Sequence, residues 1–217
     1  VEHHLSTSRG TLSARKVVLA TNAYTAGLLP KFKHAITPVR GMASHHSPSV
    51  PVHPHLTNTY NIAFGPDKGV DYLNPRPDGS IVAGGGSWLF ARDAPSWDAN
   101  WDDAHLFAPH VMQYWQEKYI PERFLGWEDS NSVADFVWTG IMGRTRDALP
   151  FVGRVPGKEG VWVLAGFNGG GMTMIALCAK AVGRMVVDGS GFGDVWEQEG
   201  LLEGMRCCEE RLAGEGR

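Results

Sequence analysis

Residues 160–189, GVWVLAGFNGGGMTMIALCAKAVGRMVVDG, constrain the fold more than any other part of the chain. Residues 161–165 form a continuous apolar run of strand length, the pattern of a strand covered on both faces. Beyond the glycines, Met174, Ile175, Cys178, Ala181, Val182, Met185 and Val186 recur at steps of three and four. Lys180 and Arg184 fall on the opposite side, and Gly189 stands where a helix end takes a left-handed residue. The spacing predicts a strand, a glycine loop and a helix, with the unpaired N–H groups of the helix start at the glycines. Such an end attracts anions or electron-rich oxygens, and residues without a Cβ let a planar ring or a phosphate approach. A tight turn that binds nothing is the competing reading.

The same grammar occurs once more. Residues 16–20 (KVVLA) are an apolar run, preceded by a glycine turn and followed by the small and polar TNAYTAGLLP. Two such runs imply a parallel sheet. The chain between them reads differently. NTYNIAF alternates, GPDKG and PRPDG turn the chain, and SIVAGGG returns, which is the pattern of an antiparallel meander. A helical pattern follows from residue 101 to 121, starting at Asp102 and Asp103 and broken or kinked by Pro109; then comes a strand over SVADFVWTGIM. The expected fold class is mixed α/β: part of a parallel sheet with an inserted antiparallel domain. The expected segments are 1–40 and 138–189 for the parallel part, 41–137 for the insertion and 190–217 for a charged, partly helical tail.

Composition removes several functions. The net charge of −3 carries no basic excess for nucleic acid or for an anionic membrane surface, so neither is an expected partner. No apolar run reaches membrane-spanning length, and VEHHLSTSRG is no signal peptide. Cys178, Cys207 and Cys208 have no metal-ligand spacing and fit a reduced, cytoplasmic protein. His45, His46, His53 and His55 crowd together among prolines without a carboxylate in the pattern; a polar loop is the simpler reading, and no metal is expected. No Ser-His-Asp or Cys-His arrangement is legible. The first residue is not Met, which leads to the expectation that the chain begins inside a longer protein.

Taken in order, ARKVVLATNAYT, ITPVRGM, DYLNPRPDGSIVAGGG, GRTRDALPFVG and GVWVLAGFNGGGM resemble the D-amino-acid oxidase-like family of FAD-dependent oxidoreductases. The resemblance covers residues 1–189 and is nearest to the amine and glycine oxidase branch that includes gamma-glutamylputrescine oxidoreductase. It implies a parallel FAD-binding sheet joined to an antiparallel substrate domain. It also implies a first strand with a G-x-G-x-x-G loop for the pyrophosphate, which this sequence does not contain. The dinucleotide-binding βαβ unit is therefore expected to be missing.

By the resemblance, Ala20, Thr21 and Asn22 pass near the adenosine half of FAD, with Asn22 where the family often has glycine. Arg144, Thr145 and Asp147 would lie beside the flavin. Gly166, Phe167, Asn168, Gly169, Gly170, Gly171 and Met172 form the loop at its pyrimidine edge, where the amides of Gly169, Gly170 and Gly171 would stabilise negative charge on the reduced ring. Gly170 replaces the histidine of the family's G-H-G. No cysteine lies between Trp138 and Asp147, so covalent attachment there is excluded and FAD is expected to be non-covalent. Arg40, Tyr72 and Trp138 are the candidates for the substrate side, against the plainer reading of a surface arginine and core aromatics.

The implied function is oxidation of a C–N bond in a small-molecule amine or amino acid, by hydride transfer to flavin. The alternatives are a truncated, non-catalytic binding module and part of an NAD-dependent dehydrogenase. Two further expectations follow from the missing loop. The chain alone should not retain FAD, and the apolar residues of 16–20 and of the 174–186 stripe should be exposed.

Overall fold

The computed structural model describes residues 1–50, 52, 56–65 and 69–214. His53, His55 and the centre of the GPDKG turn lie outside them. The chain divides into two compact units, residues 1–38 with 142–217, and residues 39–141.

The first unit opens with a hairpin of β1 (His3–Thr7) and β2 (Gly10–Ala14), then β3 (Val17–Leu19) and the short helix α1 (Thr25–Leu28). The second unit holds β4 (Thr37–Ser47), β5 (Tyr60–Ala63), β6 (Val70–Pro75), β7 (Ile81–Gly85), helices α2 (Ser87–Phe90), α3 (Ala94–Trp97), α4 (Pro109–Glu117) and α5 (Tyr119–Arg123), and β8 (Val133–Arg144). The long strands β4 and β8 carry the chain across the unit boundary. The first unit resumes with β9 (Phe151–Arg154), β10 (Val161–Ala165), α6 (Ile175–Asp188), α7 (Phe192–Val195) and α8 (Glu209–Ala213).

In the first unit the strand order is β3-β10-β9. The apolar runs pair in parallel, Val161 with Val17 and Val163 with Leu19, while β9 is antiparallel to β10. The two-residue period of β10 sends side chains both ways. Val161, Val163 and Ala165 join Phe32, Ile36 and Phe151 in one cluster; Trp162 and Leu164 join Cys178, Ala181, Val182 and Met185 of α6 in another. Each such fully buried aliphatic side chain contributes roughly 1.5–3 kcal/mol. The α6 stripe is thus packed rather than exposed, which corrects the expectation for 174–186 at its central residues. For β3 the expected exposure is found at Val18. Val18 is 43% exposed, so this end strand of the sheet is covered on one face only.

The second unit is a five-stranded sheet in the order β5-β6-β7-β4-β8, with the expected antiparallel meander, β5-β6-β7, forming one side. Its core gathers Met42, Leu73, Ile81, Ala83, Trp115, Tyr119 and Ile120. Asp71 is fully buried there and accepts from the Gly86 amide (2.6 Å), Trp88 Nε1 (3.0 Å) and the Tyr119 hydroxyl (2.8 Å). The expected helix start at Asp102 is not found. Asp102 Oδ1 accepts from the Ala104 and His105 amides (3.1 and 3.2 Å) in a turn, and α4 begins at Pro109. A proline fits the first helical turn, where its missing N–H has no partner to lose. Among the described residues no helix is long and apolar enough to cross a membrane.

Candidate functional site

Within the first unit, two asparagines in the left-handed region lace three loops together. Asn22, at φ +43°, follows β3; Asn168, at φ +54°, follows β10. Asparagine tolerates this conformation better than other residues with a Cβ, because its short side chain bonds locally. Asn22 Oδ1 accepts from the Gly166 and Phe167 amides at 3.0 and 3.1 Å. Asn168 Oδ1 accepts from the Thr145 amide at 2.7 Å, and its Nδ2 donates to Thr145 Oγ1 at 2.9 Å and to the Gly166 carbonyl at 2.7 Å. The Asn168 amide closes the set on the Gly143 carbonyl at 2.9 Å. Gly166 must be glycine: at φ +78° a Cβ would fall 2.7 Å from Thr145 Cγ2.

The glycine rim rises from this base. Gly169 and Gly170 are exposed, Gly171 is half-exposed and Met172 is 91% exposed. A 3-10 turn over Gly171–Thr173 precedes α6, so the helix proper starts later than the sequence predicts. The expected trio of free amides is corrected to two. The Gly170 amide donates to the Phe167 carbonyl at 3.0 Å, whereas among the described residues those of Gly169 and Gly171 donate to no acceptor of the chain. Thr21 lies beside the cluster, its hydroxyl 2.8 Å from that of Thr25; Ala20 and Arg144 are exposed.

The Asp147 carboxylate is engaged within the protein, by Arg211 Nε at 2.7 Å and Nη2 at 3.0 Å and by the Leu149 amide at 3.2 Å. Burial acts to raise its pKa, but the hydrogen bonds and charge of Arg211, with the Leu149 amide, outweigh burial and hold the group below the usual carboxylate value.

In the second unit, Arg40 on β4 is buried. It donates to the Ser96 carbonyl at 3.3 Å and to the His105 carbonyl, with its guanidinium 4.5 Å from the Phe107 ring centre. Its hydrogen bonds organise the loop before α4. Tyr72 on β6 is 38% exposed and lies over Gly84, where a Cβ would come 2.1 Å from its ring; partial burial raises its pKa. Trp138 on β8 is 37% exposed and stacks on Phe136 at 5.4 Å.

One constellation escaped the sequence. Ser80 Oγ lies 2.9 Å from His45 Nε2, and His45 Nδ1 lies 2.7 Å from Asp135 Oδ1. The order Ser-His-Asp suggests a nucleophile, but the Ser80 hydroxyl donates to Asp78 Oδ1 at 2.6 Å, so its one proton is not offered to His45. Ser47 donates to the other Asp135 oxygen at 2.9 Å. The chain of bonds fastens the β6–β7 turn to β4 and β8. No spacing rule reveals it, because its members come from three separate strands and turns.

Residues 1–185 match the family described as DAO, FAD dependent oxidoreductase. The chain belongs to that family. Glycine oxidase of Pseudomonas aeruginosa is 25% identical over 186 residues, which cover 85% of this chain and 44% of that protein. Among solved structures, L-proline dehydrogenase from P. horikoshii superposes with a TM-score of 0.61 at 23% identity, over 92% of this chain and 51% of that one. Amadoriase I from Aspergillus fumigatus reaches 0.65 at 14% identity, over 96% and 46%. These two likenesses show the fold. The chain spans about half the length of the curated relative it matches. Arg211 lies beyond the matched residues.

Proposed function

We propose that this chain forms the flavin-edge loops and the substrate-side sheet of an FAD-dependent oxidoreductase that oxidises a C–N bond of an amine or amino acid to an imine. The observation that carries the reading is the rim at Gly169 and Gly171, held by Asn22 and Asn168, exposed and offering two amides without acceptors. Such a surface fits the cofactor. It has no Cβ to obstruct a planar ring, and it presents preorganised donors where negative charge develops. FAD, when bound, would supply the two-electron acceptor for hydride from the carbon bearing a neutral amine.

The chain's own residues do the rest. Gly169 and Gly171 would hold the ring edge through their amides, and Met172 would lie against it. Thr145, Gly166 and Phe167 keep the loop rigid, so that no donor need reorient during reaction. Thr21 and Asn22 would serve the adenosine side. Cys178 and Cys207 are buried, with burial raising both thiol pKa values, Cys207 to about 12, which argues against attachment of the flavin at either of them. On the substrate side, Tyr72 and Trp138 would offer aromatic surface to an ammonium or alkyl group, and Arg40 would position its loop. The names of the relatives, glycine oxidase and iminodiacetate oxidase among them, support the substrate class.

The test is flavin titration of the purified chain, followed by anaerobic addition of glycine, secondary amines and amino acids of both hands. Substrate-dependent loss of the visible flavin absorbance is the expected result. Without a G-x-G-x-x-G loop FAD is not expected to be retained through purification, so the titration keeps it in excess. Flavin that binds but is reduced by none of these compounds, or no uptake even in excess FAD, overturns the proposal.

A further inference from the structure

Tail residues Phe192, Leu201 and Met205 pack in the same core cluster as Phe167, and one side chain of the tail also bonds the loop before β9. Residues 206 and 207 lie along β9, with an isolated parallel bridge from Val152 to Arg206 and the Cys207 amide donating to the Val152 carbonyl at 3.0 Å. Helix α8 follows and presents Arg211, whose side chain is 8% exposed. A guanidinium has five N–H donors in a rigid fork, and all five are engaged here. Nε and Nη2 hold the two Asp147 oxygens at 2.7 and 3.0 Å; Nη2 also reaches the Leu149 carbonyl at 2.9 Å. Nη1 reaches the Pro150 carbonyl at 3.2 Å and the Arg206 carbonyl at 3.1 Å. The plane sits 4.0 Å from the Phe151 ring centre.

Four of these five bonds land on residues 147–150, and that loop is what Asn168 grips from the other end. Thr145 Oγ1 donates to the same Leu149 carbonyl at 3.0 Å, while the Thr145 amide donates to Asn168 Oδ1 at 2.7 Å. The path from α8 to the glycine rim is therefore Arg211, Leu149, Thr145, Asn168. A second anchor of α8 is of another kind: Lys31 Nζ meets Glu209 at 2.6 Å and the Pro156 carbonyl at 3.0 Å, both partners of the ion pair being largely exposed. It touches none of residues 143–150.

We infer that Arg211 is a positioning residue, which fixes the loop of residues 145–150 and through it the Asn168 end of the glycine rim. Its place in catalysis rests on the flavin reading above; its mechanical role does not. Bidentate geometry together with two carbonyls on the same loop is what a lysine, a point charge on a flexible stem, does not reproduce. The side chain acts through Thr145 and Asn168 and reaches no reacting atom in this arrangement.

Two measurements on the full chain test this. In the flavin-free protein, Arg211→Met should speed amide exchange at Thr145 and Asn168 by on the order of tenfold or more, since charged hydrogen bonds are lost. Val163 in β10 should stay protected, Arg211→Lys should fall between the two, and Lys31→Met should leave Thr145 and Asn168 as they were. Unchanged exchange at those two amides, or equal acceleration at Val163, overturns the inference. If Arg211→Met does not fold, Arg211→Lys against the parent carries the same comparison. Flavin titration of the same proteins separates the two claims. A parent that takes up no FAD even when FAD is in excess removes the flavin reading and leaves the exchange result standing. A parent that binds FAD, with Arg211→Met binding as tightly and with the same visible spectrum, removes the positioning role.

Discussion

Replacing Asn168 by alanine tests the lacing of the glycine loop directly. The substitution removes the acceptor of the Thr145 amide at 2.7 Å and the donors to Thr145 Oγ1 at 2.9 Å and to the Gly166 carbonyl at 2.7 Å. At about 1 kcal/mol net for each neutral hydrogen bond, the three amount to roughly 3 kcal/mol. Alanine must also adopt the left-handed backbone of Asn168, which adds about 1 kcal/mol. Asn168 is half-buried, so water replaces part of what is lost, and the expected destabilisation of the first unit is about 2–4 kcal/mol. Asn168→Gly loses the same bonds without the backbone cost and should be less harmful than alanine by about 0.5–1 kcal/mol. The assay is urea unfolding read by hydrogen exchange in β10, which reports on the first unit alone. A loss below about 1 kcal/mol, or alanine no worse than glycine, would show that these bonds do not hold the loop.

Other consequences are as direct. Gly166→Ala combines φ +78° with a Cβ at 2.7 Å from Thr145 Cγ2, so it should destabilise the first unit by about 2 kcal/mol or more in the same assay. A neutral effect would mean that Thr145 moves aside freely. In the second unit, burial lowers the pKa of His46 from 6.5 to about 4, the Asp135 charge opposing and His45 assisting. Because the unfolded chain takes up this proton first, the His46 contribution is complete above pH 6.5 and is lost as pH falls towards about 4. The slope is about 1.4 kcal/mol per pH unit within that window. Urea midpoints between those pH values should show this slope in the parent and lose it in His46→Gln; an identical slope in both would assign it to another group.

The parallel pair β3 and β10 and the meander of the second unit were legible because burial writes a period into sequence: continuous for 161–165, alternating for 60–64. Asn22 and Asn168 were legible as positions through the resemblance, which put them on the loops after the two apolar runs. Their partners were not, because nothing in the order of residues tells Asn168 that it faces Thr145. The 174–186 stripe misled for a related reason, as an apolar stripe does not say which layer of the same chain covers it. Pro109 was seen as a break where it is a beginning; the rings packed behind it, Trp115 and Tyr119 at 4.1 Å, decide which side of the proline coils. Arg211 was the least legible. One basic residue in a charged tail carries no period, and its meaning lies in a loop more than sixty positions away.

The division of the first unit into residues 1–38 and 142–217 bears on how the molecule is made. Asn22 waits for amides 144 positions further along the chain, and β3 waits for β10. During synthesis the early segment therefore emerges without its partners, while the second unit is contiguous and has every strand of its sheet at hand before residue 145 appears. Once that sheet forms, β4 and β8 are neighbours, and the points where the chain leaves and re-enters the first unit are drawn towards the same sheet region. The inserted unit then serves as a splint that shortens the search between β3 and β10, a loop whose closure in an unfolded chain opposes non-local pairing. Damage to the core around Trp115 would on this view slow the assembly of the glycine loop without touching any residue in it.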